Sequence, residues 1–261
     1  MKTKPPASNV EWQAWAKRDP LYAVATCPDK DKQGADPWTD EAFYALGKSD
    51  WEDFYQRWVR YGLDHASCAE IGCGAGRITR FMAGNCDGVH ACDISEDMLN
   101  YARKHVTLPN VKFYLSDGSW IDMPQDAVSA VFSCHVFQHF DSLAVARHYF
   151  REIHRVLADQ GTLMIHLPIY AWPYPSVWFR GLHGLSQRVA DFKANRNRRL
   201  IARGVFRPLM RRLVYPLDWF FTELPRLGFG DIEIAVIAPQ SSGDRSEERR
   251  VGKECRSRGS P

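Results

Sequence analysis

The sequence predicts an α/β fold with a doubly wound, mostly parallel sheet. Short apolar segments that favour strands alternate with amphipathic segments that favour helices between residues 66 and 167. The chain has 261 residues, of which 45% are hydrophobic and 25% are charged, as is typical of globular proteins. Such a strand–helix alternation favours a parallel sheet that is covered by helices on both faces.

The predicted strands are short and apolar, and they span residues 66–71, 88–92, 111–115, 127–133, 161–167 and 231–237. Helices are predicted over 77–83, from Ser95 onward, over 143–157 and over 216–227. Ser95 is a suitable N-cap residue because its hydroxyl can accept a hydrogen bond from the first helical turn. Thr39 or Asp40 is a second candidate cap.

Aromatic residues dominate the region before the first predicted strand. Trp51, Phe54, Tyr55 and Trp58 recur at the spacing that places side chains on one face of a helix. We therefore divide the chain into five regions. They are an N-terminal helical cap at 1–62, a core at 63–167, a helical lid insertion at 168–214, the C-terminal part of the core at 215–244, and a tail at 245–261.

The tail has no apolar periodicity and resembles the conceptual translation of a sequencing adapter. We expect it to be artefactual or disordered, the alternative being a natural basic tail. It contains six basic and three acidic residues, so the net charge of +3 resides in the tail and residues 1–244 are neutral. Net charge therefore gives no indication of nucleic-acid binding.

Seven cysteines occur singly rather than in metal-binding pairs. No C-x-x-C pair has a second pair or a histidine pair at zinc spacing, so the sequence predicts no metal site. An odd number of isolated cysteines, without an apolar leader at the N-terminus, favours reduced thiols and a cytoplasmic location. No apolar run approaches the roughly 18 residues of a membrane span.

A glycine-rich segment, Ala69-Glu70-Ile71-Gly72-Cys73-Gly74-Ala75-Gly76, joins the first strand to a helix. Glycines allow a sharp turn and let a ligand approach the backbone closely. The dinucleotide fingerprint G-x-G-x-x-G fails, because its third glycine would fall on Arg77. The phosphate-loop motif also fails, since no Gly-Lys-Ser/Thr ending is present.

Two further acids follow the next two predicted strands. Asp93 ends the second strand, and Asp117 follows the third. In an open parallel sheet, ligands bind at the edge formed by the carboxyl ends of the strands. Glu70, Asp93 and Asp117 are therefore expected to share one site, although each alone is also explained as a turn or helix-start residue.

The pattern acidic-x-Gly-x-Gly-x-Gly, followed by these two acids, resembles class I S-adenosylmethionine-dependent methyltransferases of the small-molecule type. The segments 132–139 and 151–163 also resemble the fourth strand end and the helix, turn and fifth strand of that family. The resemblance implies a Rossmann-like fold and S-adenosylmethionine as cofactor. The antiparallel last strand of the family is not recognisable here, so we expect it to be missing.

The resemblance also implies the roles of the binding residues. Gly72, Cys73, Gly74 and Gly76 would face the methionine part of the cofactor, with Glu70 near its ammonium group. Asp93 would bind the ribose, and Asp117 and the amide of Gly118 would bind the adenine. Ile94 and Met98 would pack on the adenine ring, and Cys134 would contact the cofactor through its backbone. His135 and His139 lie just beyond the fourth strand and are the candidate catalytic bases. For Ile94, Met98 and the histidines, ordinary packing is the alternative.

The resemblance implies methyl transfer to a small-molecule acceptor or to a lipid- or sugar-linked one, and the composition of the insertion bears on the charge of that acceptor. Residues 180–212 contain ten basic residues and one acidic residue, Asp191. An anionic or lipid-linked acceptor, or peripheral contact with an anionic membrane, would fit this charge, whereas a solvated or oligomer-facing helix is the plainer interpretation. We do not expect nucleic acid as acceptor. The oligomeric state is not predicted.

Two alternative functions stay open. A NAD-dependent oxidoreductase is disfavoured by the failed fingerprint and by the position of Asp117. A non-catalytic S-adenosylmethionine-binding protein would keep the same binding residues without transferring methyl groups.

Overall fold

The computed structural model describes residues 8–27, 29–170, 189, 192–193, 196–201, 203–205, 213–237 and 252–259. It confirms the α/β fold. The helices are α1 (Asn9–Arg18), α2 (Pro20–Val24), α3 (Asp40–Tyr61), α4 (Thr79–Met82), α5 (Glu96–His105), α6 (Leu143–Val156) and α7 (Leu217–Arg226). The strands are β1 (Cys68–Ile71), β2 (Val89–Asp93), β3 (Val111–Leu115), β4 (Val128–Cys134), β5 (Leu157–Tyr170), β6 (Tyr215–Pro216), β7 (Phe229–Ile237) and β8 (Gly252–Gly259).

The strands form one sheet in the order β3-β2-β1-β4-β5-β8-β7, and the short β6 pairs with the end of β5. The pairs among β1 to β6 are parallel, whereas β8 runs antiparallel to both of its neighbours. Strands β2 and β3 lie on one side of β1, whereas β4 lies on its other side, so the direction in which strands are added to the sheet reverses after β3. This reversal creates a crevice beyond the carboxyl ends of β1 and β4, where ligands bind in open α/β sheets.

Helix α3 covers one face of the sheet through an aromatic cluster. Phe132 of β4 is fully buried, and its ring centroid lies 5.6 Å from Trp51, 5.3 Å from Phe54 and 5.8 Å from Trp58. The indole of Trp58 also donates a hydrogen bond of 2.8 Å to Thr162 Oγ1 of β5. The predicted apolar face of this helix is therefore the face that packs on the sheet.

Helices α6 and α7 cover the opposite face. Phe150 and Ile153 of α6 are fully buried in the same cluster as Phe220 of α7 and Leu163 of β5. Successive residues of β4 and β5 thus point alternately into the two clusters, as the period of a strand requires. Burial on both faces explains why these strands read as continuous apolar runs in the sequence.

Side-chain caps fix where several helices begin. Thr39 Oγ1 accepts a hydrogen bond from the amide of Ala42, and Ser95 Oγ accepts one from the amide of Met98. Both belong to the residues predicted as caps. None of the helices in the described part of the chain combines the length and apolar character needed to cross a membrane.

The expectation that the last strand is missing was wrong. Residues 252–259, within the tail that was expected to lie outside the fold, form β8 between β5 and β7. The sequence hides this strand because Gly-Lys-Glu-Cys-Arg-Ser-Arg-Gly has no apolar alternation. Backbone pairing with two open strand edges does not require such alternation, since each ladder uses only main-chain donors and acceptors.

The lid insertion predicted for 168–214 lies largely outside the described residues. Within it, residues 196–201 are helical. Arg198 in this stretch forms a hydrogen-bonded ion pair of 2.6 Å with Asp141, and its Nε lies 3.8 Å from Glu11 of α1. These contacts attach this part of the insertion to the core at Asp141 and to the N-terminal cap at Glu11.

Replacing Cys255 of β8 by proline should destabilise the sheet. Cys255 is paired with both Ile165 and Ile234, so proline removes a backbone donor in the middle of a strand with neighbours on two sides. We expect a loss of about 1–3 kcal/mol in the free energy of unfolding, measured by urea denaturation. Cys255→Ala, which keeps the backbone amide, is the control and should cost much less stability than Cys255→Pro. Equal stability of Cys255→Pro and wild type would contradict the position of β8.

Candidate active site

The glycine loop follows β1 and turns sharply before α4. Gly72, Gly74 and Gly76 have φ values of 73°, 53° and 78°, in the left-handed region that side chains with a Cβ rarely adopt. The loop also packs closely on its neighbours. A Cβ on Gly72 would lie 2.2 Å from Val136 Cγ2, and one on Gly74 would lie 2.6 Å from Val24 Cγ2. Glycine is therefore required here for both conformation and space.

Strand β2 holds the glycine loop in place. The carbonyl of Cys92 accepts hydrogen bonds from the amides of Gly72 (2.8 Å) and Cys73 (3.0 Å). The carboxylate of Asp93 accepts from the amide of Gly74 through Oδ2 (2.9 Å) and from the amide of Ser95 through Oδ1 (2.9 Å). One carboxylate thus joins the loop after β1 to the start of α5.

Burial raises the pKa of Asp93, although the amides of Gly74, Ser95 and Ile94 oppose that rise by stabilising the charged form. A half-buried carboxylate with two anchored oxygens is well suited to accept further hydrogen bonds, because each oxygen has more than one lone pair. Its orientation is set by the backbone before any ligand binds.

Glu70 lies beneath the loop and is 3% exposed. Thr79 Oγ1 donates a hydrogen bond of 2.5 Å to Glu70 Oε2. Burial raises the pKa of Glu70 to about 7; the Thr79 hydrogen bond and the nearby Arg77 lower it, and the negative charge of Asp93 raises it. A carboxyl group in this state gains from any cation that restores its charged form.

Asp117 follows β3 and is fixed by a turn. Its Oδ1 accepts hydrogen bonds from the amide of Ser119 (2.8 Å), the hydroxyl of Ser119 (2.8 Å) and the amide of Trp120 (3.2 Å). Gly118 has φ of 77°, and its amide donates to Ser116 Oγ at 3.0 Å. The amide predicted to contact adenine is therefore engaged within the turn.

The three predicted acids lie along one rim of the sheet. Strand register pairs Ile71 with Cys92 and Asp93 with Leu115, so β1, β2 and β3 end side by side. Since Glu70 precedes the end of β1, and Asp93 and Asp117 lie at the ends of β2 and β3, all three belong to the same edge as the glycine loop. This edge is the one at which ligands of parallel sheets bind.

Other predicted cofactor residues lie on the inner side of the rim. A Cβ on Gly76 would lie 3.0 Å from Val106 Cγ2, so this glycine allows α5 to pack closely. The side chain of Cys73 is buried in a cluster with Ala91 and Leu99. Met98 is buried and packs in the cluster that contains Ala75 and Trp15.

Helix α1 crosses the rim, a feature that the sequence analysis missed. Asn9 Nδ2 donates to the carbonyl of Asp117 at 3.1 Å, and Gln13 Nε2 donates to the carbonyl of Ile94 at 3.3 Å. A Cβ on Gly118 would lie 2.4 Å from Asn9 Nδ2. The polar residues Asn9 and Gln13, four positions apart on one helix face, were the available signal, but nothing in the sequence identified their partners.

The two candidate catalytic histidines have different surroundings. His139 ends the short helical turn Phe137–His139, and its ring lies edge-on to Trp12 with a centroid distance of 4.5 Å. Gln138 Nε2 is also within 3.0 Å of His139 Nε2. His135 instead contacts the ring of His166, with a centroid distance of 4.4 Å.

His166 is a second residue that the sequence analysis missed. It lies on β5 directly opposite Cys134, in the register of the parallel pair, and its Nδ1 is 3.7 Å from Cys134 Sγ. Cys134, His135 and His166 are all half-buried. The chain spacing between residues 134 and 166 gave no signal, because only strand pairing brings them together.

An acid on the first strand, a glycine loop, and acids after the second and third strands define the class of this fold. These features, on a sheet whose only antiparallel member among the described strands is β8, are those of class I S-adenosylmethionine-dependent methyltransferases. Residues 69–165 match the family described as methyltransferase domain. This part of the chain is therefore a methyltransferase domain of the S-adenosylmethionine-dependent type, and the protein is an enzyme.

The similarity to solved structures covers almost the whole chain and not only residues 69–165. A chain from the Haloferax volcanii complex that contains the Trm112 methyltransferase activator aligns with a TM-score of 0.62 at 14% identity, covering 96% of this chain and 98% of that one. DhpI in complex with S-adenosylhomocysteine aligns with a TM-score of 0.60 at 16% identity, covering 98% of both chains.

A third similar structure is the N-methyltransferase NodS from Bradyrhizobium japonicum in complex with S-adenosylhomocysteine. Its TM-score is 0.58 at 14% identity, and the alignment covers 96% of this chain and 100% of NodS. At these identities, the similarity establishes the fold.

Glu70→Gln should change how stability depends on pH. The pKa of Glu70 is about 7 in the folded chain, against its ordinary value of 4.5, so the folded state retains a proton that the unfolded state releases. This contribution to stability is complete below about pH 4.5 and is lost as pH rises through 7, a change of up to about 3 kcal/mol. Urea denaturation at pH 5 and pH 8 should show Glu70→Gln gaining stability relative to wild type at the higher pH.

The matched control for this test is Glu41→Gln, because Glu41 is exposed in the first turn of α3. Glu41→Gln should follow the wild-type pH dependence. If Glu70→Gln also followed it, the protonated state of Glu70 would be contradicted.

Proposed function

We propose that the protein transfers the methyl group of S-adenosylmethionine to a small-molecule acceptor at the rim formed by β1, β2, β3 and β4. The observation that carries this proposal is the double anchoring of the glycine loop by Cys92 and Asp93. This anchoring prepares a cradle next to a fixed carboxylate before a ligand arrives, and pre-organised sites lower the cost of binding.

Each part of the cofactor has a matching group on the rim. The glycine loop from Gly72 to Gly76 would lie against the methionine part of the cofactor, and Glu70 would attract its ammonium group. Buried Glu70 fits a cation because charge pairing offsets the burial that raises its pKa to about 7. When bound, S-adenosylmethionine supplies a methyl group on a positively charged sulfur.

The nucleoside part would lie along β2 and β3. Asp93 would accept hydrogen bonds from the ribose hydroxyls, using lone pairs beyond those that face Gly74 and Ser95. Asp117 and Gly118 would contact adenine, with Ile94 beside the ring. Asn9 of α1 lies against Gly118 and donates to the carbonyl of Asp117, so α1 would border the adenine.

Met98, Gly76 and Cys134 have supporting roles in this proposal. Met98 packs behind the loop with Ala75, and Gly76 lets α5 approach. The backbone of Cys134, at the end of β4, would border the cofactor where the crevice opens. Their contribution is to position the loop and the strand end, since correct placement of two substrates supplies up to about 7–11 kcal/mol of catalysis.

His135 and His139 are the proposed general bases for an acceptor hydroxyl or amine. Both follow β4, where the acceptor would enter the crevice. The acceptor chemistry is further proposed to be anionic or lipid-linked, because the insertion at 180–212 is strongly basic. Arg198, a member of this basic set, contacts both Asp141 and Glu11 and so holds part of the insertion against the core and the N-terminal cap.

Asp93→Asn should weaken binding of S-adenosylhomocysteine about 10- to 100-fold. The substitution removes the charge that strengthens hydrogen bonds to the ribose, each worth about 1.5–3 kcal/mol. Isothermal titration calorimetry measures the affinity. Asp97→Asn, on the exposed first turn of α5, should bind as wild type does.

Undiminished affinity of Asp93→Asn would contradict the assigned ribose site. Binding of NAD in place of S-adenosylhomocysteine by wild type would favour the oxidoreductase alternative. Methyl transfer is then tested by S-adenosylhomocysteine release with neutral, anionic and lipid-linked acceptors, and binding without release in any of them would favour the non-catalytic alternative.

A further inference from the structure

The end of β4 and the neighbouring part of β5 bring together a thiol and two imidazoles. Cys134 and His166 are directly paired in the parallel register, so their side chains point to the same face of the sheet. Phe132 and Met164, two residues earlier on each strand, are buried on that face in the cluster that includes Trp58. The ring of Phe54 lies 5.5 Å from the ring of His166 and borders the group on the α3 side.

His135 joins this pair through an unusual backbone conformation. In a regular strand, consecutive side chains point to opposite faces, so His135 would point away from Cys134. His135 instead has φ of 61°, in the left-handed region, and its amide donates to the carbonyl of His166 at 3.2 Å. Backbone strain of this kind persists where the surrounding structure enforces it, and it concentrates at functional sites.

The resulting geometry suits a metal ion. The ligand atoms of Cys134, His135 and His166 all lie within 4.8 Å of one another. Zinc bonds of about 2.3 Å to sulfur and about 2.0–2.1 Å to nitrogen place two tetrahedral ligands about 3.6 Å apart. The observed separation of 3.7 Å between Cys134 Sγ and His166 Nδ1 therefore fits a shared ion.

We propose that Cys134, His135 and His166 form a binding site for one Zn²⁺ ion. Thiolate and imidazole are ligands that zinc prefers, and three protein ligands leave a fourth position open, as in catalytic zinc sites. The prediction of no metal site used spacing along the chain, which cannot reveal ligands on paired strands.

The location of the three ligands suggests that the open fourth coordination position of the zinc ion binds the methyl acceptor, and this extension rests on the proposed function. Val136, the residue after His135, contacts Gly72 of the glycine loop, so the three ligands lie beside the proposed methionine site. An acceptor hydroxyl or thiol bound to the ion would release its proton to water at lower pH, because a bound divalent metal lowers the pKa of its ligand. In the zinc-bound protein His135 is a ligand, so His139 is the one of the two proposed bases that stays available to accept a proton. The ion would then hold the acceptor atom close to the methyl group.

The test uses the untagged full-length protein, stripped of metal by a chelator and kept reduced. Titration with Co²⁺ should saturate at one equivalent, with the visible spectrum of tetrahedral cobalt and a thiolate-to-cobalt charge-transfer band. Cys134→Ser should lose that band. Loss of even an outer-shell partner lowers metal affinity about 10- to 100-fold. His135→Ala and His166→Ala should therefore weaken Zn²⁺ at least tenfold in competition with a chromophoric chelator.

Cys27→Ser and His65→Ala are matched controls, because Cys27 lies in the segment between α2 and α3 and His65 contacts Tyr55 away from the three ligands. Both should bind metal as wild type does. Wild type that binds no stoichiometric metal, or a Cys134→Ser variant that keeps the charge-transfer band, would overturn the proposal.

Titration of wild type and His166→Ala with S-adenosylhomocysteine separates this proposal from the proposed function. Retained affinity in His166→Ala shows that the variant is folded and that its metal defect is specific. Absence of metal binding beside normal S-adenosylhomocysteine binding overturns the zinc site alone. Metal binding without S-adenosylhomocysteine binding in wild type overturns the proposed function and leaves the zinc site standing.

Discussion

The hydrogen bonds between the end of β2 and the glycine loop are the constraint on which the rest of the site depends. Cys92 and Asp93 accept hydrogen bonds from the amides of Gly72, Cys73 and Gly74. The second carboxylate oxygen of Asp93 accepts a hydrogen bond from the amide of Ser95. Without these bonds, the loop would have no fixed position relative to β2. Because they use backbone amides, they tie the fold directly to the binding surface.

The sheet supplies two different environments along one edge. Along β1 to β3, the buried Glu70, the half-buried Asp93 and the exposed Asp117 lie at the same edge as the glycine loop, and three carboxyl groups suit a positively charged nucleoside. Over β4 and β5, a thiol and imidazoles replace the carboxyl groups. The chain reversal between β1 and β4 places these environments side by side, so two ligands can meet where they join.

Much of this architecture could be predicted from the sequence. The alternation of strands and helices predicted the core, and acids at or near the ends of three successive strands predicted the rim. Strand β8 could not be predicted because its pairing uses the backbone and its residues lack apolar alternation. His166 and the left-handed conformation of His135 were equally hidden, since both depend on the register between β4 and β5. Spacing along a chain reports local contacts, whereas this part of the site is built from distant ones.

The contacts of α1 bear on the order in which the protein assembles during synthesis. Asn9 and Gln13 bind carbonyl groups that are 108 and 81 residues further along the chain. The helix leaves the ribosome before any of β1 to β3 exists, so it can dock only after that part of the sheet has formed. Until then, Trp12 and Trp15 are exposed to solvent in the nascent chain, where chaperones can recognise them.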